Sequence, residues 1–241
     1  MKSLEKIPVV ISDDPDTLAT RVADRIEAIM RENAATHRRT VLGLATGSTP
    51  IGVYRELIRR HRVLGLSFAD VVTFNLDEYW PMPPDSVHAY HRFMWENLFA
   101  HIDIPASQVH LLPGTIDRAD VAGVCRAYEA RIAEAGGIDF QLLGIGKTGH
   151  IGFNEPGSGR DSRTRLVTLD AMTRRDAAAD FFGAENAPRE AITMGVATIL
   201  AAREIAILAT GEHKAGIVRR AVEGAIDLEV AATFLQEHPR T

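Results

Sequence analysis

The sequence predicts an α/β protein, a doubly wound and mainly parallel sheet with helices on both faces. Three observations carry this reading. Short apolar runs alternate with amphipathic stretches from end to end. Within the amphipathic stretches apolar residues recur at helical spacing, as Leu18, Val22, Ile26 and Ile29 do. Parallel strands need crossover helices between them, so regular strand–helix alternation points to a parallel sheet. The 241 residues, 46% hydrophobic and 24% charged, are enough for one sizeable core, and no repeat or composition break divides them.

Residues 8–12 read as a first strand. Asp14 followed by Pro15 is an N-cap with proline at the first helical position, opening the helix that carries Leu18 to Ile29. Residues 41–44 form the next strand. The ATGSTP run after it passes into a helix reaching about His61, with Thr49 and Pro50 as cap and first turn. A strand at 71–75 leads into a proline-rich loop at 77–84, and Ser86 then caps a helix bearing Phe93, Met94 and Leu98. Residues 109–111 are strand and 118–135 helix, and a strand at 140–144 delivers the chain into a glycine-rich loop. A strand at 163–168, a helix at 173–182, a strand or helix start near Ile192, a strand at 204–210 and a helix at 213–223 complete the order.

Charge and cysteine content exclude several classes of function. Lysine and arginine number 27 against 32 acidic residues, a formal charge of −5, and the arginines are scattered. Such a chain offers no basic stripe to a nucleic-acid backbone or an anionic membrane, so neither partner is expected. No run of 18 apolar residues occurs, and the first ten residues lack the apolar segment of a secretion signal. The lone Cys125 lies in a helical pattern and reads as a small buried apolar residue, which fits a reducing cytoplasm.

Ligands of open parallel sheets bind beyond the carboxyl ends of the strands, which directs attention to four loops. In ATGSTP, Thr46, Gly47, Ser48 and Thr49 combine hydroxyls, a close backbone approach and a helix N-terminus, an anion cradle suited to phosphate or else a plain capped turn. It lacks the lysine ending of a P-loop and the glycine spacing of a dinucleotide site. In NLDEYW, Asp77 follows an apolar strand beside Tyr79 and Trp80; it is either a solvated loop acid or, if partly desolvated, a base. In GIGKTGHIGFNEPGS, glycines surround His150, Asn154 and Glu155, an arrangement suited to proton transfer by a His/Glu pair, although a lone histidine is often structural. Metal-ligand spacing is absent from it, so no metal is expected. In ATGEHKAG, Lys214 stands at a helix start, either a surface lysine or a partner for a bound anion. Two phosphate-type loops and two acid–base loops point to a phosphorylated small molecule rearranged by proton transfer.

Read together, the stretches LGLATGSTP, TFNLDEYW, LLGIGKTGHIGFNEPGS, SRTRLVTL, ITMGVATIL and ILATGEHKAGIVRRAVEG resemble the glucosamine-6-phosphate deaminase (isomerising) family, in family order from Val41 onward. GHIGFNEPGS is the most specific; the related 6-phosphogluconolactonases have a glycine–histidine loop without FNEP. The resemblance implies a Rossmann-like fold. It also implies an aldose–ketose isomerase and hydrolase that converts glucosamine 6-phosphate to fructose 6-phosphate and ammonia without a cofactor, breakdown being the expected direction. It assigns the C2/C1 proton transfer to Asp77 and ring opening to His150, with Glu155 orienting and charging the imidazole. Thr46 to Thr49 and Lys214 would hold the phosphate.

Three departures from the family pattern qualify these expectations. Thr148 stands two residues before the histidine, where members carry aspartate or asparagine, which makes Glu155 the only carboxylate of the relay. Asp180 precedes Phe181 and Phe182 where some members have a phosphate-binding arginine, and Arg174 is the candidate substitute. Val167 replaces a lysine of the effector cluster that Ser158 and Arg165 match, so strong activation by N-acetylglucosamine 6-phosphate is not expected. Galactosamine 6-phosphate as substrate and a noncatalytic sugar-phosphate sensor are the alternatives; a sensor would not need Asp77, His150 and Glu155 together. Members range from monomers to hexamers, so a homo-oligomer stays open. Relatives continue past the FLQEHPR segment into another apolar strand, so residues 1–241 are expected to be one domain, either truncated at its C-terminus or lacking that last strand by nature.

Overall fold

The computed structural model describes residues 5–183 and 185–241. Helix α1 (Pro15–Ala34) opens as its cap predicts, with the Asp14 carboxylate accepting from the Thr17 N–H at 2.7 Å. Five strands then build the central sheet: β1 (Thr40–Leu44), β2 (Val71–Asn75), β4 (Val109–His110), β5 (Phe140–Gly144) and β8 (Ile205–Leu208). Their spatial order is β4-β2-β1-β5-β8 and every pairing is parallel. The expected fold class is therefore the observed one.

Alternation along the strands fills both faces. Leu42, Leu44, Phe140 and Leu142 pack against α1, α2 (Ile51–Leu64) and α3 (Tyr90–Asn97). Val41, Phe74, Leu143 and Ile205 pack on the other side against α4 (Val121–Glu134), α6 (Val196–Leu200) and α7 (Ala215–Glu223). Each fully buried side chain of this size contributes about 1.5–3 kcal/mol. The smaller Cys125 is buried with them, 3% exposed on α4, with burial pushing its thiol pKa up, so it is the core residue that was expected. At the amino ends of the strands Asp139 accepts from Arg38, Arg203, Asn33 and the Val41 N–H, which anchors the end of the sheet away from the ligand loops. Among the described residues no helix is long and apolar enough to cross a membrane.

A second, antiparallel sheet was not expected. It has the order β3-β7-β6, formed by β3 (Asp77–Trp80), β7 (Glu190–Thr193) and β6 (Arg165–Thr168). Residues 77–80, expected to be loop, are thus a strand, because Leu76 bridges the sheets: its N–H donates to Leu44 O and its carbonyl accepts from Met194 N. The chain leaves β2 and enters β3 with one residue between.

Other boundaries also moved. Residues 8–12 are not a strand, since no ladder partner faces them; Val9, Val10 and Ile11 lie exposed along a cavity of about 530 Å³ lined by Ile7, Val218 and Leu235. The predicted helix at 173–182 is the short α5 (Ala171–Asp176), which tightens into a 3₁₀ turn at Ala177–Ala179. Ser86 does not cap α3, which begins at Tyr90 and receives its cap from elsewhere. Nor does Thr49 cap α2: the helix starts at Ile51 with no side-chain cap, so its first N–H groups stay open toward the ATGSTP loop.

Candidate active site

The carboxyl ends of β1, β2, β5 and β8 place the four expected loops at one end of the sheet. Asp77 and Glu78 are adjacent in sequence but have separate tasks. Both Glu78 oxygens are occupied: the N–H groups of Tyr79 and Tyr90 donate to one at 3.0 Å each, and His91 N–H to the other at 2.8 Å. Tyr90 and His91 are the first turn of α3, so Glu78 supplies the carboxylate cap that helix lacked. Burial nevertheless raises its pKa, against those three hydrogen bonds, to about 7.

Asp77 sits at 7% exposure with no hydrogen bond among the described residues to offset its burial. Loss of solvent first, and the neighbouring Glu78 charge second, push its pKa up to about 8. A carboxyl buried in this way is not a solvated loop acid, and its raised pKa has the range that a base working near neutral pH requires.

The glycine-rich loop after β5 presents its histidine at the same end of the sheet. His150 Nδ1 lies 3.1 Å from Glu155 Oε2, 3.0 Å from Thr148 Oγ1 and 3.4 Å from Thr173 Oγ1. The carboxylate accepts the Nδ1 proton, which leaves Nε2 as the ring's acceptor. That nitrogen rests on Gly146, where an added Cβ would lie 2.1 Å from it, so only glycine lets the imidazole occupy this position. Gly152, at φ +55°, performs the second close approach: a Cβ there would meet Thr193 Oγ1 at 2.8 Å and Asp77 Oδ2 at 3.4 Å. The Asp77 carboxylate therefore abuts the loop two residues beyond His150.

The loop is held from behind. Asn154, fully buried, donates to Ile151 O and Met194 O at 2.8 Å each and accepts from Arg165 at 3.0 Å. Phe153 N–H donates to Thr193 Oγ1. This rigid backing preorganises the imidazole. Arg165 also donates to Ser158 Oγ at 2.9 Å, so the two matching effector residues are bonded to each other in this chain.

Of the expected phosphate-binding residues, Gly47 and Ser48 are exposed while Thr46 and Thr49 are partly buried, at the open N-terminus of α2. Lys214 ends a 3₁₀ turn before α7 and donates to Ile145 O at 2.8 Å; burial lowers its pKa. Among the expected site residues it alone lines the 530 Å³ cavity, which belongs to the N-terminal segment and α7 rather than to the acid–base cluster. Arg174 lies on α5, where it reaches the Ala187 carbonyl at 3.5 Å. The sequence reading missed Thr173, whose contact with Nδ1 arises only through the fold. It also missed Lys147, which sits between Gly146 and Thr148 and pairs with Asp176 at 2.6 Å. A lysine inside the glycine loop was the available signal for it. Among the described residues no cluster of histidine, cysteine or acidic side chains could hold a metal ion.

Fold and side-chain geometry together place a buried carboxyl, a carboxylate-paired histidine and the open N-terminus of α2 at the carboxyl end of a parallel α/β sheet. The chain belongs to the family of glucosamine-6-phosphate isomerases/6-phosphogluconolactonases, which it matches over residues 13–240. It is 47% identical over 239 residues to a glucosamine-6-phosphate deaminase of Rhodopirellula baltica, covering 99% of this chain and 93% of the relative. The solved structure of a monomeric glucosamine-6-phosphate deaminase superposes with a TM-score of 0.92 at 40% identity, covering 97% of this chain and 95% of that one. The 6-phosphogluconolactonase of Thermotoga maritima superposes at 0.73 with 20% identity, over 95% and 93% of the two chains, a likeness of fold alone.

Proposed function

We propose that this chain is an enzyme converting glucosamine 6-phosphate to fructose 6-phosphate and ammonia. The observation that carries the reading is a buried carboxyl that abuts, at Gly152, the same loop that two residues earlier carries a carboxylate-oriented histidine. Such a pair suits a reaction needing one group to open a sugar ring and another to move a carbon-bound proton. Identities of 40–47% with deaminases, against 20% with a lactonase, favour that branch of the family.

In the proposed sequence His150 Nε2 takes the proton of the anomeric hydroxyl and returns it to the ring oxygen, which opens the ring to the aldehyde. Asp77 removes the C2 proton and O1 is protonated, giving an enolamine; Asp77 then delivers a proton to C1. The resulting C2 imine adds water and expels ammonia, leaving the ketone. The core of the reaction is an isomerisation, and water enters only in the last step. Glu155 and Thr148 position and polarise the imidazole without touching the sugar. Residues 46–49 and Lys214 hold the phosphate, which gains from the open N–H groups and dipole of α2.

The test is a substrate panel of glucosamine 6-phosphate, galactosamine 6-phosphate and 6-phosphogluconolactone. The reading expects kcat/KM to be highest for the first and lactone hydrolysis to be negligible. Preference for the lactone, or binding of the sugars without turnover, would overturn it.

Two variants probe the departures from the family pattern. Thr148 offers His150 a neutral hydroxyl at 3.0 Å. Thr148→Asp adds a negative charge there, so the kcat/KM–pH profile of the variant should differ from that of the wild type. An unchanged profile would show that this position does not tune His150. If Arg174 substitutes for the expected phosphate arginine, Arg174→Ala should raise KM about tenfold with kcat little changed; an unchanged KM removes it from the site.

A further inference from the structure

The sheet order makes the loop after β5 the central one of three, with the loop after β1 on one side and the loop after β8 on the other. Lys147 sits on that central loop, which in sheet order lies between the loop carrying residues 46–49 and the loop carrying Lys214. Its ammonium lies 2.6 Å from Asp176 Oδ1, the side chains being 53% and 36% exposed. Asp176 follows Thr173 by three residues on α5 and so shares its face, and Thr173 Oγ1 is 3.4 Å from His150 Nδ1. Asp176 is thus turned toward the site and not away from it. Lys214 senses both partners: the Asp176 charge raises its pKa and the Lys147 charge lowers it. Two ammonium groups and one carboxylate are therefore close enough to interact, on the loops beyond β5 and β8 and on α5.

We propose that Lys147 is a second cation for the substrate phosphate, and that Asp176 is an internal carboxylate holding its place until the phosphate arrives. This rests on the reading of the site as one for a sugar phosphate. Three physical points support it. A phosphate ester carries close to two negative charges at neutral pH and three acceptor oxygens, so it satisfies two ammonium groups better than one carboxylate does. A half-exposed lysine–carboxylate pair contributes little to stability and is given up easily. Arg174, two residues before Asp176, faces another side of α5 and bonds to Ala187 O. The α5 residue that meets a cation of the catalytic loop is therefore an acid, and that acid competes with the ligand. Lys147 is in this way a specificity-determining residue for the 6-phosphate.

The two members of the ion pair should then respond with opposite sign, which a purely structural pair would not do. Inorganic phosphate is titrated calorimetrically into the wild-type chain and into Lys147→Ala, Lys147→Arg and Asp176→Asn, and KM for glucosamine 6-phosphate is measured beside it. Lys147→Ala should weaken phosphate binding and raise KM about tenfold, and Lys147→Arg should restore both to within roughly threefold. Asp176→Asn should tighten phosphate binding about threefold, since a competing charge is gone. Equal weakening in Lys147→Ala and Asp176→Asn, no change in Lys147→Ala, or no phosphate binding by the wild type would each overturn the proposal. Phosphate binding without turnover of glucosamine 6-phosphate would defeat the functional reading while the titration still decides the role of Lys147.

Discussion

Asp77→Asn should abolish turnover and at the same time stabilise the fold. Loss of the proposed base removes general-base catalysis of the C2/C1 transfer, so kcat should fall about 10³-fold or more. The stabilising effect follows from proton linkage. The Asp77 pKa is 3.8 in an unperturbed setting and about 8 in the folded protein. Between these values the unfolded chain has released its proton while the folded chain retains it, so folding stability declines as pH rises from about 4 to about 8. The uncharged amide is free of that penalty. Its free energy of unfolding at pH 8, read by chemical denaturation, should exceed that of the wild type by about 1–2 kcal/mol, or roughly 3–6 °C in Tm. The difference should vanish near pH 4. In the wild type the same protonation should make kcat/KM fall below about pH 8, where Asp77 takes up its proton. A variant less stable than the wild type at every pH, or one that retains activity, would contradict this account of Asp77.

The second large effect belongs to the histidine. His150→Asn should lower kcat by about 10²- to 10⁴-fold, because ring opening then lacks its proton shuttle. KM should change little, since His150 is not among the phosphate-binding residues. Glu155→Gln should be milder, about 10- to 100-fold in kcat. Equal kcat for Glu155→Gln and the wild type would remove the relay.

Much of the central sheet was legible in the sequence because parallel, doubly buried strands leave continuous apolar runs, as in VVTFN of β2 and FQLLG of β5. The second sheet was not. In β3 the strand reads DEYW, two acids and two aromatics with prolines soon after, and its ladder partner lies more than a hundred residues away in β7. Neither local pattern nor spacing could announce it. The same holds at the site. The local sequence left Asp77 either a solvated loop acid or a desolvated base, and the choice is made by the tertiary fold: α3, arriving from residues 90–91, takes Glu78 as its cap while Asp77 is buried in the interior. His150 and Glu155 could be paired from sequence because the loop between them is local and glycine-rich. Thr173 and Asp176 could not, since α5 reaches the loop only through the tertiary fold. Residues 8–12 show the converse error: an apolar run was read as strand, but a strand also requires a partner edge.

The claim that joins these results is that one buried base and one oriented histidine act in succession on an amino sugar phosphate. It is tested most directly by supplying glucosamine 6-phosphate to the wild-type chain and measuring ammonia and fructose 6-phosphate independently over the same time course. The account predicts that both appear in a one-to-one ratio and that neither appears with Asp77→Asn. Tight binding of the sugar phosphate with no product, or ammonia released without fructose 6-phosphate, would contradict it.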